Sequence, residues 1–126
     1  MDLVTITRMT IDADALSRGV AGHTAGAVAL FLGTVRAEES NGKTLVALDY
    51  EAYEEMALTQ MSDIRAKALA ERGVIEAAIV HRLGRIALGE ASIAVAVASA
   101  HRAQAFDACR WIVDQIKCDE IGRAHV

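Results

Sequence analysis

The stretch ASIAVAVASAHRAQAFDACRWIVDQIK, Ala91 to Lys117, sets two periodicities end to end. Ala91 to Ser99 alternates small and β-branched apolar residues behind a Gly89-Glu90 turn, and reads as a main strand. From Ala105 the apolar residues fall at helical spacing instead. Ala105, Phe106, Cys109, Ile112, Val113 and Ile116 share one face, with Ser99 as the expected N-cap. His101 and Arg102 stand where the strand hands over to the helix. A helix N-terminus offers free N–H groups and the positive end of the dipole, so it suits an anion. Arginine adds a bidentate fork, and histidine a hydrogen bond or a proton. On the pair alone, two solvated first-turn side chains are the better reading, because a two-residue signal is weak.

Outward from this stretch the same logic organises the chain. Val74 to Gly84 reads as a strand running into a turn. Ala57, Met61, Ile64, Ala68 and Leu69 mark a helix from about Glu54 to Arg72, stopped by Gly73. Ala27 to Arg36 is an apolar run expected to be a strand buried on both faces near its middle. Asn41-Gly42 signals a hairpin turn, and Thr44 to Tyr53 a returning strand. Leu3 to Arg8 is a short strand, and Asp12 to Arg18 a helical turn or two capped by Asp12 or Asp14. Hairpins interleaved with helices predict an α+β domain, with helices packed on a mostly antiparallel sheet.

The 126 residues, 53% apolar, are enough for one compact domain with a real core. No apolar run approaches the roughly 18 residues of a membrane span, and the N-terminus lacks the basic flank of a signal peptide. The expectation is a cytoplasmic protein with no membrane contact. A net charge of −4 argues against a general nucleic-acid binder. Cys109 and Cys118 form no CxxC pair, and no cysteine–histidine cluster has zinc spacing.

Three further positions carry candidate chemistry. Arg36 closes the apolar strand after Gly33-Thr34-Val35, where a charge faces either solvent or a cleft at the sheet's edge. Lys117 lies near the end of the last helix, where the dipole alone favours a cation. His81-Arg82 repeats the His-Arg pairing at a strand end, and is the weaker candidate because no helix N-terminus follows it. Cys109 occupies a core-facing helix position and reads as a small hydrophobe.

Taken together, four ordered motifs resemble one family. Gly33-Thr34-Val35-Arg36, His81-Arg82-Leu83-Gly84, Ser99-Ala100-His101-Arg102 and Lys117 are similar to the hallmarks of the catalytic (large) subunit of molybdopterin synthase, over roughly Gly26 to Lys117. The resemblance implies an α/β-hammerhead fold and a sulfurtransferase. Such subunits move sulfur from the Gly-Gly thiocarboxylate of a ubiquitin-like small subunit to cyclic pyranopterin monophosphate (precursor Z), forming the dithiolene of molybdopterin. It further implies a central homodimer with a small subunit at each end, and no cofactor. Lys117 takes the catalytic place, and Thr34, Val35, Arg36, His101 and Arg102 the substrate-binding ones. The family continues past this lysine with a second lysine-bearing segment, whereas here the chain reads CDEIGRAHV. The expectation is a single domain over residues 1–119 and a non-native tail over 120–126, since EIGRAHV is also one translated frame of a common sequencing adapter. The missing lysine keeps a second function open: a non-catalytic dimeric module binding a phosphorylated ligand. A phosphodiesterase using His101 alone is a more remote third.

One geometric expectation follows. His101 and Lys117 are sixteen positions apart on one helix, which is roughly 24 Å along its axis. A single helix does not bring both to one small pterin, so a shared site requires two copies of the chain.

Overall fold

In the computed structural model, residues 3–37, 39–40, 43–44, 47–118 and 123–125 are described. The main sheet has four strands in the order β1 (Val4–Thr7), β6 (Val74–Arg82), β8 (Ala91–Ser99), β2 (Ala27–Thr34). β1 runs parallel to β6, and the other two pairings are antiparallel. Three helices cover it: α1 (Ala13–Val20), α2 (Glu54–Glu71) and α3 (Arg102–Cys118). A hairpin of β3 (Glu39–Ser40) with β4 (Lys43–Thr44) stands apart, and β5 (Ala47–Glu51) lies between β7 (Gly84–Ala87) and β9 (Arg123–His125) in a second sheet. The expected α+β organisation is observed. The Asn41-Gly42 turn and residues 119–122 and 126 of the expected tail lie outside the described residues, while Arg123–His125 pairs with Asp49–Glu51.

The alternation in Ala94-Val95-Ala96-Val97-Ala98 decides the layering. Successive side chains point to opposite faces of a sheet. Val95 and Val97 join Ala77, Ile79, Met61, Ile64, Ala108 and Ile112 under α2 and α3. Ala94, Ala96 and Ala98 join Ala78, Leu16 and Val20 under α1. The larger residues fill the two-helix side, and the alanines let a single short helix approach closely. Each fully buried valine or isoleucine contributes about 1.5–3 kcal/mol.

Local signals explain the helix ends. The Asp12 carboxylate accepts from the Ala15 N–H at 3.0 Å and caps α1. Glu54 and Glu55 complement the dipole in the first turn of α2. That helix stops at Gly73, whose φ of 67° is the left-handed conformation that glycine adopts without strain. The Arg72 guanidinium lies 4.5 Å from the Trp111 ring centroid, tying the end of α2 to α3.

β2 departs from expectation. It is an edge strand, and its burial alternates rather than closing both faces. Ala29 and Phe31 turn toward the core under α3, while Val28, Leu30 and Leu32 on the other face keep 41%, 41% and 40% of their surface. The returning strand predicted at Thr44 to Tyr53 does not pair with β2 either. β8 takes that position, and β5 pairs with β7.

Candidate active site

The strand–helix junction differs from the expected cap. α3 opens at Arg102, and Ser99 is the last residue of β8, fully buried, with an Oγ that has no hydrogen-bond partner among the described residues. His101, not Ser99, leads into the helix, its carbonyl accepting from the Ala105 N–H at 3.2 Å. His101 and Arg102 are both exposed. Their backbone is fixed from below by Gly26, whose N–H donates to the Ser99 carbonyl at 3.0 Å. A Cβ on Gly26 would overlap the Ala100 carbonyl oxygen, so only glycine allows this approach.

β2 and α3 both run from that junction to the opposite end of the sheet. Ala27 pairs with Ser99 and Thr34 with Ala91, so the end of β2 leading to Arg36 is remote from His101. The Cys109 thiol donates to the Val95 carbonyl at 3.8 Å, which sets the middle of α3 over the middle of β8. Lys117 is eight positions further on, about 12 Å toward the Thr34 end. Arg36 and Lys117, both exposed, therefore share one end of the fold, and His101 and Arg102 occupy the other. Burial pushes the Cys109 thiol up to about 11, with the Phe31 backbone opposing that shift, so at neutral pH it is a protonated, unreactive core residue.

Val35 is buried, and both of its backbone polar groups are engaged within the chain. It is 2% exposed, its N–H donates to the Glu90 carbonyl at 3.0 Å, and its carbonyl accepts from the Gly89 N–H at 2.7 Å. The register shifts between Gly33 and Thr34, a bulge that ends regular pairing just before Arg36.

His81-Arg82, rated the weaker candidate from sequence, is the most buried polar pair of the set. His81 is 2% exposed, and its Nδ1 lies 2.9 Å from the Ser92 carbonyl oxygen. A carbonyl only accepts, so Nδ1 carries the proton and Nε2 is left as a lone pair. Nε2 has no partner, and the Tyr50 ring stands edge-on at 5.9 Å between centroids. Burial holds the imidazolium pKa below its ordinary value, outweighing the Ser92 hydrogen bond. Alternation along β6 sends Arg82 to the opposite face, where Nη1 is 3.4 Å from a Glu90 carboxylate oxygen. Nothing local in the sequence distinguishes this pair from an ordinary strand end. Its partners come from β8 and from the turn before it.

Comparison with known proteins bears on what these residues do. The model of the MoaE protein family matches residues 6–119. The chain belongs to the MoaE family. The match contains every site position expected from the sequence, from Thr34 to Lys117. A molybdopterin synthase catalytic subunit of Thermoplasma volcanium is 44% identical over 114 residues, covering 90% of this chain and 82% of that protein. A subunit of the same name from Bacillus subtilis is 39% identical, covering 93% of this chain and 74% of that one. The crystal structure of molybdopterin synthase from Staphylococcus aureus superimposes with a TM-score of 0.86 at 29% identity, over 93% of this chain and 85% of that one. The MoaE family is one of enzymes, and the mixed sheet-and-helix fold is theirs. No helix among the described residues is long and apolar enough to cross a membrane.

Proposed function

We propose that the chain acts as the catalytic subunit of a molybdopterin synthase, transferring sulfur from a thiocarboxylated ubiquitin-like small subunit to cyclic pyranopterin monophosphate. The observation that carries this reading is the grouping of Arg36 and Lys117 at one end of the sheet in a chain matched to the MoaE family over residues 6–119. In this reading Arg36 holds the anionic substrate through charge-assisted hydrogen bonds. The Lys117 ammonium faces the thiocarboxylate and stabilises the charge that grows on its carbonyl oxygen. No cofactor enters the transfer. Family membership favours this enzyme over a non-catalytic module that only binds a phosphorylated ligand.

The site is completed by a second copy. β2 is an edge strand with an exposed apolar row at Val28, Leu30 and Leu32. A two-fold axis through its middle sets the Ala27 end of one strand beside the Thr34 end of the other. His101 and Arg102 of the partner subunit then come to the end that carries Arg36 and Lys117. Residues 1–119 form the working domain, so deleting 120–126 leaves dimerisation unchanged.

The test is direct mixing with thiocarboxylated small subunit and cyclic pyranopterin monophosphate. A dithiolene-bearing product supports the transferase. Binding without product indicates the module, and simple ring-opened phosphate a phosphodiesterase. Arg36→Ala and Arg102→Ala each weaken substrate binding by about 1.5–3 kcal/mol in this reading. A thermal midpoint that falls sharply while affinity holds makes both residues structural instead.

A further inference from the structure

His81 and Arg82 converge on one short segment from opposite faces of β6. His81 donates to the Ser92 carbonyl at 2.9 Å, and the Ser92 hydroxyl donates to the Gly33 carbonyl at 3.2 Å. Arg82 stands 3.4 Å from the Glu90 side chain, and the Glu90 carbonyl accepts from the Val35 N–H at 3.0 Å. Glu90 is itself braced, its second carboxylate oxygen accepting from the Ala87 N–H at 3.1 Å. The two side chains thus grip both ends of Glu90–Ser92, and that segment grips Gly33 and Val35 on either side of the bulge. Beyond the bulge comes Arg36.

The arrangement costs free energy. His81 Nε2 and Arg82 Nε and Nη1 are buried without a hydrogen-bond partner among the described residues, Nη1 meeting Glu90 as an ion pair only. An apolar pair at the end of β6 would avoid that penalty. What an apolar pair would not supply is a hydrogen bond to the Ser92 carbonyl and an ion pair with the Glu90 carboxylate.

We propose that His81 and Arg82 are positioning residues for Arg36, fixing through Glu90–Ser92 the bulge at which Arg36 leaves the sheet. Their effect on turnover rests on the reading of Arg36 as a substrate contact. Their effect on the backbone does not.

The experiment uses the full chain with its small subunit and pairs two readouts. The first is hydrogen exchange at the Val35 amide in His81→Leu, His81→Asn and Ser92→Ala. Asparagine keeps a donor near the Nδ1 position, so it restores protection that leucine loses. Ser92→Ala removes only the hydroxyl link and covers the case in which His81→Leu does not fold. The second is a double-mutant cycle on KM for the pterin substrate. His81→Leu, or Ser92→Ala in its place, raises KM about tenfold with a smaller effect on kcat, and adds less than about twofold once Arg36 is alanine. Unchanged Val35 protection in the folded variants overturns the proposal, and so do losses that multiply in the cycle. An Arg36→Ala variant with unaltered KM removes the substrate reading of Arg36 alone, and Val35 exchange then decides the positioning role by itself.

Discussion

His101 immediately precedes α3 and Lys117 lies in its last turn, so one unbroken helix holds the two apart by about 24 Å. The helix does not bend back between them, because Ala105, Ala108, Cys109, Ile112, Val113 and Ile116 all stay in one core. If both serve one pterin, they come from different subunits. A dimer formed from a His101→Ala/Arg102→Ala chain and a Lys117→Ala chain regains up to one working pocket, while each variant alone is inactive. Verified heterodimers without activity would place both groups in one chain's site.

Lys117 is exposed, so its removal separates chemistry from folding. Lys117→Ala lowers the transfer rate on the order of 10²–10³, as loss of an oxyanion donor does, and leaves the thermal midpoint nearly unchanged. Single-turnover kinetics and a melting curve on the same preparation check this.

His81 makes stability depend on pH in one direction. Its pKa in the folded state lies below the ordinary 6.5, so unfolding takes up a proton between those two values. The stabilisation is fully present above pH 6.5 and is lost as pH falls toward the lowered value. Denaturant titrations from pH 7.5 down to about 5 show this decline, with a slope of at most about 1.4 kcal/mol per pH unit from this one group. In His81→Asn that part of the slope is absent.

Gly26 links the start of β2 to the backbone leading into His101 and Arg102. Gly26→Ala forces the Ala100 carbonyl aside, and His101 moves with it. The expected cost is about 1–3 kcal/mol of stability, together with weaker substrate binding. Gly22→Ala is the control. A Cβ there meets nothing within 4 Å, and the change stays within about 0.5 kcal/mol. Calorimetry and substrate titration of both variants measure the two effects.

Much of this was legible in the sequence where the signal is local. The Asp12 cap, the Gly73 stop, the alternation of β8 and the helical face of α3 are each set by neighbours within a few positions, except that Phe106, expected on that face, lies outside the core and is 67% exposed. The burial of β2 departs from expectation because an unbroken apolar run looks the same in the middle of a sheet as at its edge, and only strand order distinguishes them. β7 is four residues long, and its partner β5 is far away in the chain, so no periodicity marks it. Ser99 has cap chemistry, but β8 runs through it and carries the helix start three residues onward. Of the site, the four motifs were readable as types. That His81 and Arg82 connect to Gly33 and Val35 through Ser92 and Glu90 was not, since that route crosses three strands and a turn.

Strand order also bears on how the molecule comes into being. β6 and β8 are neighbours in the chain and can zip together as soon as both exist. β2 pairs with β8 across about half of the sequence, and β1 waits slightly longer still for β6. On a ribosome, the apolar strand β2 therefore emerges well before β8 and stays without its sheet partner until β8 follows. The slow step of folding is then the capture of β2 by the β6–β8 hairpin, and the nascent chain is most exposed to aggregation in that interval.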